Sequence, residues 1–134
     1  MPVFLNHEDA LSLWRDALAA SVRGDGPDLS VRQMLIMLRV YTVQSPHTVR
    51  ELSEVLNISK PAISRALDRL EKLGFVLRHR NEYDRRSVRV RGTGKGHIFM
   101  MKFAEQVSEA GRELESPTPF EAGIPLANDG GRLR

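Results

Sequence analysis

The sequence predicts a mainly α-helical chain with one small β-hairpin. Three observations carry that expectation. Apolar residues recur at helical spacing in five stretches, helix-start and helix-stop residues bound those stretches, and one pair of short alternating runs, FVLRHR and VRVR, flanks the polar turn NEYDRRS. At 134 residues one domain is expected, spanning 1–115, because a chain of this size removes roughly two-thirds of its unfolded surface from water.

The first helix is expected over about 7–23, where Leu11, Trp14 and Leu18 share a face and Gly24, Gly26 and Pro27 end it. A second starts behind Ser30 and runs to about Gln44, apolar on nearly every side, which predicts a central position. After Pro46, Thr48 and Glu51 form a capping-box pair opening a short helix that stops at Asn57, with Leu52, Val55 and Leu56 inward. Ser59 caps the next helix, about 60–73. Pro61 sits in its first turn, Ile63, Ala66, Leu67, Leu70 and Leu73 form its buried stripe, and Gly74 closes it in the left-handed conformation.

The hairpin occupies about 75–91, with Val88 and Val90 on one face of the second strand and Arg89 and Arg91 on the other. Thr93 caps a last helix over about 94–114, whose apolar set is wider than one packing face requires, so a second chain is expected to cover the excess. From Ser116 to Arg134, three prolines and three glycines in nineteen residues predict a flexible tail, with Phe120, Ile124 and Leu126 available to dock.

The net charge is only +3, but it is unevenly placed. Residues 57–97 hold eleven Lys or Arg against four acids, leaving the rest of the chain net acidic, so a polyanion is the natural partner. Two helices joined by the tight LNIS turn, followed by a basic hairpin, make a winged helix-turn-helix. Its second helix fits the major groove of double-stranded DNA while keeping the leucine stripe inside, which turns Ser59, Lys60, Ser64, Arg65, Asp68 and Arg69 outward. Arg65 is expected to read a base, since its planar fork donates twice to guanine; Asp68 is expected to partner an arginine. Arg80, Arg85 and Arg86 sit on or beside the wing tip, suited to a narrow minor groove.

The run VRELSEVLNISKPAISRALDRLEKLGFVLRHR followed by DRRSVRVRGTGKG resembles the MarR family of bacterial regulators, over about 29–96. Asp84, Arg86, Thr93 and Gly96 match that family's wing signature, and Gly92 stands where leucine is usual. The resemblance implies that Arg86 enters the minor groove and that Asp84 holds a neighbouring wing arginine. It also implies a homodimer built from the terminal helices, through Leu11, Trp14, Leu18, Phe99, Phe103, Val107 and Leu114. Regulation of transcription from a palindromic operator, as a repressor that responds to a small-molecule effector in many family members, follows from the same likeness.

Other classes fare poorly. Without cysteine there is no disulfide framework, thiolate zinc site or thiol switch. Gly92-Thr93-Gly94-Lys95-Gly96 fails as a phosphate-binding loop, because the first glycine would fall at Arg89 and Gly96 replaces the magnesium-holding hydroxyl. His7, His47, His79 and His97 lie on different elements, so no metal or other cofactor is expected, and no nucleophile or carboxylate pair suggests an enzyme. MPVFLNHED is not a basic leader and no stretch approaches the roughly 20 apolar residues of a membrane span, so a cytoplasmic protein without membrane contact is expected. Two alternatives stay open: a winged-helix module that binds another protein as an antagonist, and an architectural protein that coats DNA without sequence choice.

Overall fold

Residues 4–44, 46–84 and 86–114 are described by the computed structural model. Arg85 and the tail from Ser116, with the docking residues expected there, lie outside the described residues. The elements run α1 (His7–Arg23), α2 (Val31–Thr42), β1 (His47–Thr48), α3 (Val49–Leu56), α4 (Lys60–Lys72), β2 (Val76–Arg80), β3 (Val88–Gly92) and α5 (Gly94–Glu113). The chain packs as two compact units. One is Asp25–Ala104, and the other combines the described residues up to Gly24 with the described residues from Glu105, so α5 begins in the first and ends in the second.

Helix starts follow the capping chemistry of the sequence. Asn6 accepts from the Asp9 amide (2.7 Å), Ser59 from Ala62 (3.3 Å), and Ser30 and Gln33 close a reciprocal capping box at α2. Thr48 and Glu51 behave differently from the expected box. Thr48 Oγ1 accepts from the Glu51 amide (2.9 Å), but the Glu51 carboxylate is drawn away to Arg39 and His47, so only half of the box forms.

In unit Asp25–Ala104, Ile36 and Met37 of α2, Leu52 of α3, and Ile63, Leu67 and Leu70 of α4 are fully buried against Phe75, Val76 and Val90. Burial of each such side chain contributes about 1.5–3 kcal/mol. Helix α2 is less enclosed than its composition suggests, since Val31 and Leu35 in its first turns are exposed. Asn57 takes the left-handed conformation (φ 56°) that turns α3 into α4, and Gly74 takes it (φ 84°) at the end of α4, as expected. There the Phe75 amide donates back to the Leu70 carbonyl (2.9 Å) and aims the chain into β2.

Strands β2 and β3 pair antiparallel from Val76↔Gly92 to Arg80↔Val88. β1 joins the outer side of β3 (His47↔Val90, Thr48↔Arg89), giving a three-stranded sheet in the order β1-β3-β2. That third strand is not foreseeable from sequence, because two residues are too few to show a period of two. The result is a mostly helical winged helix-turn-helix. In the other unit, Ala17 of α1 and Ala110 of α5 are buried, and Gln106 Nε2 donates to the Ala20 carbonyl (3.4 Å). No helix among the described residues is long and apolar enough to cross a membrane.

Candidate nucleic-acid interface

A cleft of about 1070 Å³ opens between α4 and the wing. From α4 it receives Lys60, Ser64 and Glu71; from the hairpin, Arg78, His79, Arg80, Asp84 and Arg86; and from the junction of β1 and α3, Thr48, Val49 and Arg50. Lys60, Ser64, Arg80, Asp84 and Arg86, chosen from sequence, are thereby brought together. Arg65 is exposed on α4 and Ser59 stands at its amino end, where its hydroxyl is spent on the cap; neither lines the cleft.

The wing tip is held by hydrogen bonds within its own turn, from backbone and side chains both. The Asn81 amide donates to the Ser87 carbonyl (2.9 Å) and the Tyr83 amide to Asn81 Oδ1 (2.8 Å). Asp84 Oδ1 accepts the Arg86 amide at 3.1 Å and lies 3.7 Å from Arg86 Nε, while the Arg86 side chain stays 96% exposed. Such side-chain turns fix a loop without a glycine, so a guanidinium is presented to solvent from a defined backbone.

The wing is also clamped to α4. Arg78 donates through Nη2 to Asp68 Oδ1 (2.6 Å) and through Nε to Glu71 Oε1 (2.8 Å), giving Asp68 the arginine partner expected of it. Burial works against the charge of Arg78, but the hydrogen bonds to Asp68 and Glu71 and their attraction outweigh it and hold the guanidinium above its ordinary range. The clamp also neutralises the two carboxylates that α4 would otherwise turn toward a polyanion.

Arg69 has a different setting from the rest of the outward set. Its Nη1 donates to the Asp28 carbonyl (2.8 Å) and to Gln33 Oε1 (2.8 Å), tying α4 to the capping box of α2. Sequence reasoning gave no site role to Thr48, Arg50, Arg78 or His79. Arg78 was legible only as part of the basic run, and Thr48 only as a cap.

Among residues assigned to dimerisation, Leu11 (72%), Trp14 (47%) and Leu18 (43%) are exposed along one face of α1, continued by Val22. Phe103 is 6% exposed in the single chain and Phe99 stacks on Phe75 with ring centroids 4.5 Å apart, so both are already engaged in their own chain. Val107 and Leu114 are half-buried. Among the described residues no group of three His, Cys, Asp or Glu could hold a metal ion.

Residues 29–88 match the model of the MarR family. The chain is 30% identical over 91 residues to the HTH-type transcriptional regulator PecS of Dickeya dadantii, an alignment covering 66% of this chain and 55% of that protein. It thus spans about half the length of the curated relatives it matches. Among solved structures, a MarR transcriptional regulator from Methanosarcina mazei Go1 superposes with a TM-score of 0.61 at 29% identity, covering 83% of this chain and 80% of that one. A MarR variant from E. coli, solved with operator DNA, superposes with a TM-score of 0.59 at 25% identity, covering 88% and 80%. The match over residues 29–88, the wing residues Asp84 and Arg86 within it, and the shared winged helix-turn-helix fold make the chain similar to transcriptional regulators of the MarR family.

Proposed function

We propose that the chain binds double-stranded DNA as a homodimer at a palindromic operator and represses transcription. The observation that carries this is the shared cleft, where Lys60 and Ser64 of α4 face Arg80 and Arg86 of the wing. A helix fills the major groove, and an arginine on an adjacent loop suits the neighbouring minor groove. In this reading Arg65 reads a base edge, Lys60 and Arg50 hold phosphates, and Arg86, braced by Asp84, enters the minor groove.

The exposed face of Leu11, Trp14, Leu18 and Val22 supports the dimer, because burying such a row against a second copy removes apolar surface from water. A dimer would place two α4 helices in successive major grooves about 34–36 Å apart. Selection from a random duplex library at low salt tests the reading. The expected product is an inverted repeat with its half-sites about one helical turn apart. Recovery of duplexes without a shared motif would leave only sequence-independent coating, and recovery of none would favour a protein-binding module.

A further inference from the structure

His47 is the one buried polar or charged side chain among the described residues, at 5% exposure. It sits where three elements meet: the end of α2, the start of α3, and β1 at the root of the wing. Its Nδ1 lies 3.1 Å from Glu51 Oε1 and its Nε2 lies 2.9 Å from the Val43 carbonyl oxygen. A carbonyl only accepts. The Glu51 carboxylate is an acceptor too, because its other oxygen already takes a hydrogen bond from Arg39 Nη2 at 2.9 Å. A neutral imidazole has a single N–H, so it serves one of these partners and points a lone pair at the other. Both partners are satisfied together only when both ring nitrogens carry protons.

The charged and titratable neighbours are Arg39 from α2, Glu51 from α3, and Arg89 and Arg91 from β3, which line the cleft behind His47 with the phenol of Tyr41. Arg50 and Glu54 of α3 pair with each other. The residue after His47, Thr48, caps α3, and with Val49 and Arg50 it forms one wall of the cleft facing the wing. The ring therefore stands one residue from the candidate interface.

We propose that His47 is a positioning residue which, as an imidazolium, couples proton binding to DNA binding. This rests on the DNA reading above. Loss of a ring proton would set a lone pair against the Val43 carbonyl or the Glu51 carboxylate and displace β1, and with it the cleft wall of Thr48, Val49 and Arg50. DNA phosphates beside that wall add negative potential, which favours the charged ring. Because the complex prefers the protonated ring, affinity is greatest at the acid end and weakens as pH rises and that proton is lost.

Two measurements on the intact chain test this. Nitrogen-15 NMR of the ring nitrogens, with and without duplex, is expected to show both nitrogens of one buried histidine protonated at the acid end, and to show that protonation persisting to higher pH in the complex. One protonated nitrogen throughout, or identical titrations with and without duplex, overturns the proposal without needing a variant. Duplex affinity across the same range at fixed ionic strength is expected to weaken with pH in the wild type, toward a limit of about tenfold per pH unit for one proton. His47→Gln should lose that component, and His97→Asn, on the exposed face of α5 away from the cleft, should keep it. Equal pH dependence in the wild type and His47→Gln overturns the coupling. Absence of duplex binding at every pH overturns the DNA reading and the coupling together, an outcome distinct from binding that ignores pH.

Discussion

The ring of Tyr41 fills the space that a side chain at Gly92 would need: a Cβ built there would lie 2.8–2.9 Å from the ring atoms. The Tyr41 hydroxyl donates to the Phe75 carbonyl (2.7 Å) and accepts from the Thr93 amide (2.8 Å), while Thr93 Oγ1 donates to Gly74 (2.6 Å) and accepts from Gly96 (2.9 Å). α2 is thus tied to the start of β2, the end of β3 and the cap of α5. Glycine at 92 is the residue that leaves room for that tyrosine. Gly96 is equally constrained, because a Cβ there would overlap the Tyr41 hydroxyl and the Phe75 carbonyl.

Gly92→Leu is therefore expected to destabilise the chain by about 1–3 kcal/mol, the usual cost of overpacking. In a Tyr41→Ala background the same change should cost clearly less, since the ring that opposes it is gone. Urea unfolding of the four proteins checks this. Additive effects would mean that Tyr41 and Gly92 are not coupled.

Arg78→Ala should detach the wing from α4 and leave Asp68 and Glu71 as uncompensated negative charge beside the cleft. The pairs are partly exposed, so we expect a modest stability loss of about 1 kcal/mol. The loss in duplex affinity should be larger, about tenfold or more, because two carboxylates would then face phosphate. Arg78→Lys restores the charge without the two-pronged geometry and should recover only part of it. Stability and affinity falling in equal measure would argue against the clamp.

Arg65 and Arg69 lie one turn apart on α4 yet should respond differently. Arg65→Ala is expected to relax base preference at one position by about 1–3 kcal/mol with little change in stability. Arg69→Ala should lower stability by about 1 kcal/mol, by removing the hydrogen bonds to Asp28 and Gln33, and leave base preference intact. Competition binding on a panel of single-base duplex variants separates the two.

That pair also marks how far the sequence could be read. Helical spacing sufficed to turn Lys60, Arg65 and Arg69 away from the leucine stripe, because spacing along one helix is local information. The partners of Arg69 sit 41 and 36 positions earlier in the chain, and only folding brings them close. The same holds for β1, whose two residues carry no period, and for Glu51, whose expected bond to the Thr48 backbone loses to Arg39 and His47. Caps, turns and the basic run were legible because each is written in consecutive residues. The Tyr41 tie was not, nor was which arginine would meet Asp68 and Glu71, because each joins separate elements through a single side chain.

Trp14→Glu should convert the expected dimer to monomer in sedimentation at micromolar protein, since it sets a charge in the middle of the exposed α1 face. The helical content should be retained. An unchanged mass would move the interface elsewhere.

Salt dependence of duplex binding, compared between the wild type and a Lys60→Ala/Arg86→Ala double variant, reads out whether α4 and the wing together meet the phosphates. Removing one cation from a phosphate should reduce the slope of log affinity against log salt by about one, so the double variant should bind more weakly and with a slope shallower by about one to two. An identical slope in both proteins, or binding that salt does not weaken, would contradict an interface built from α4 and the wing.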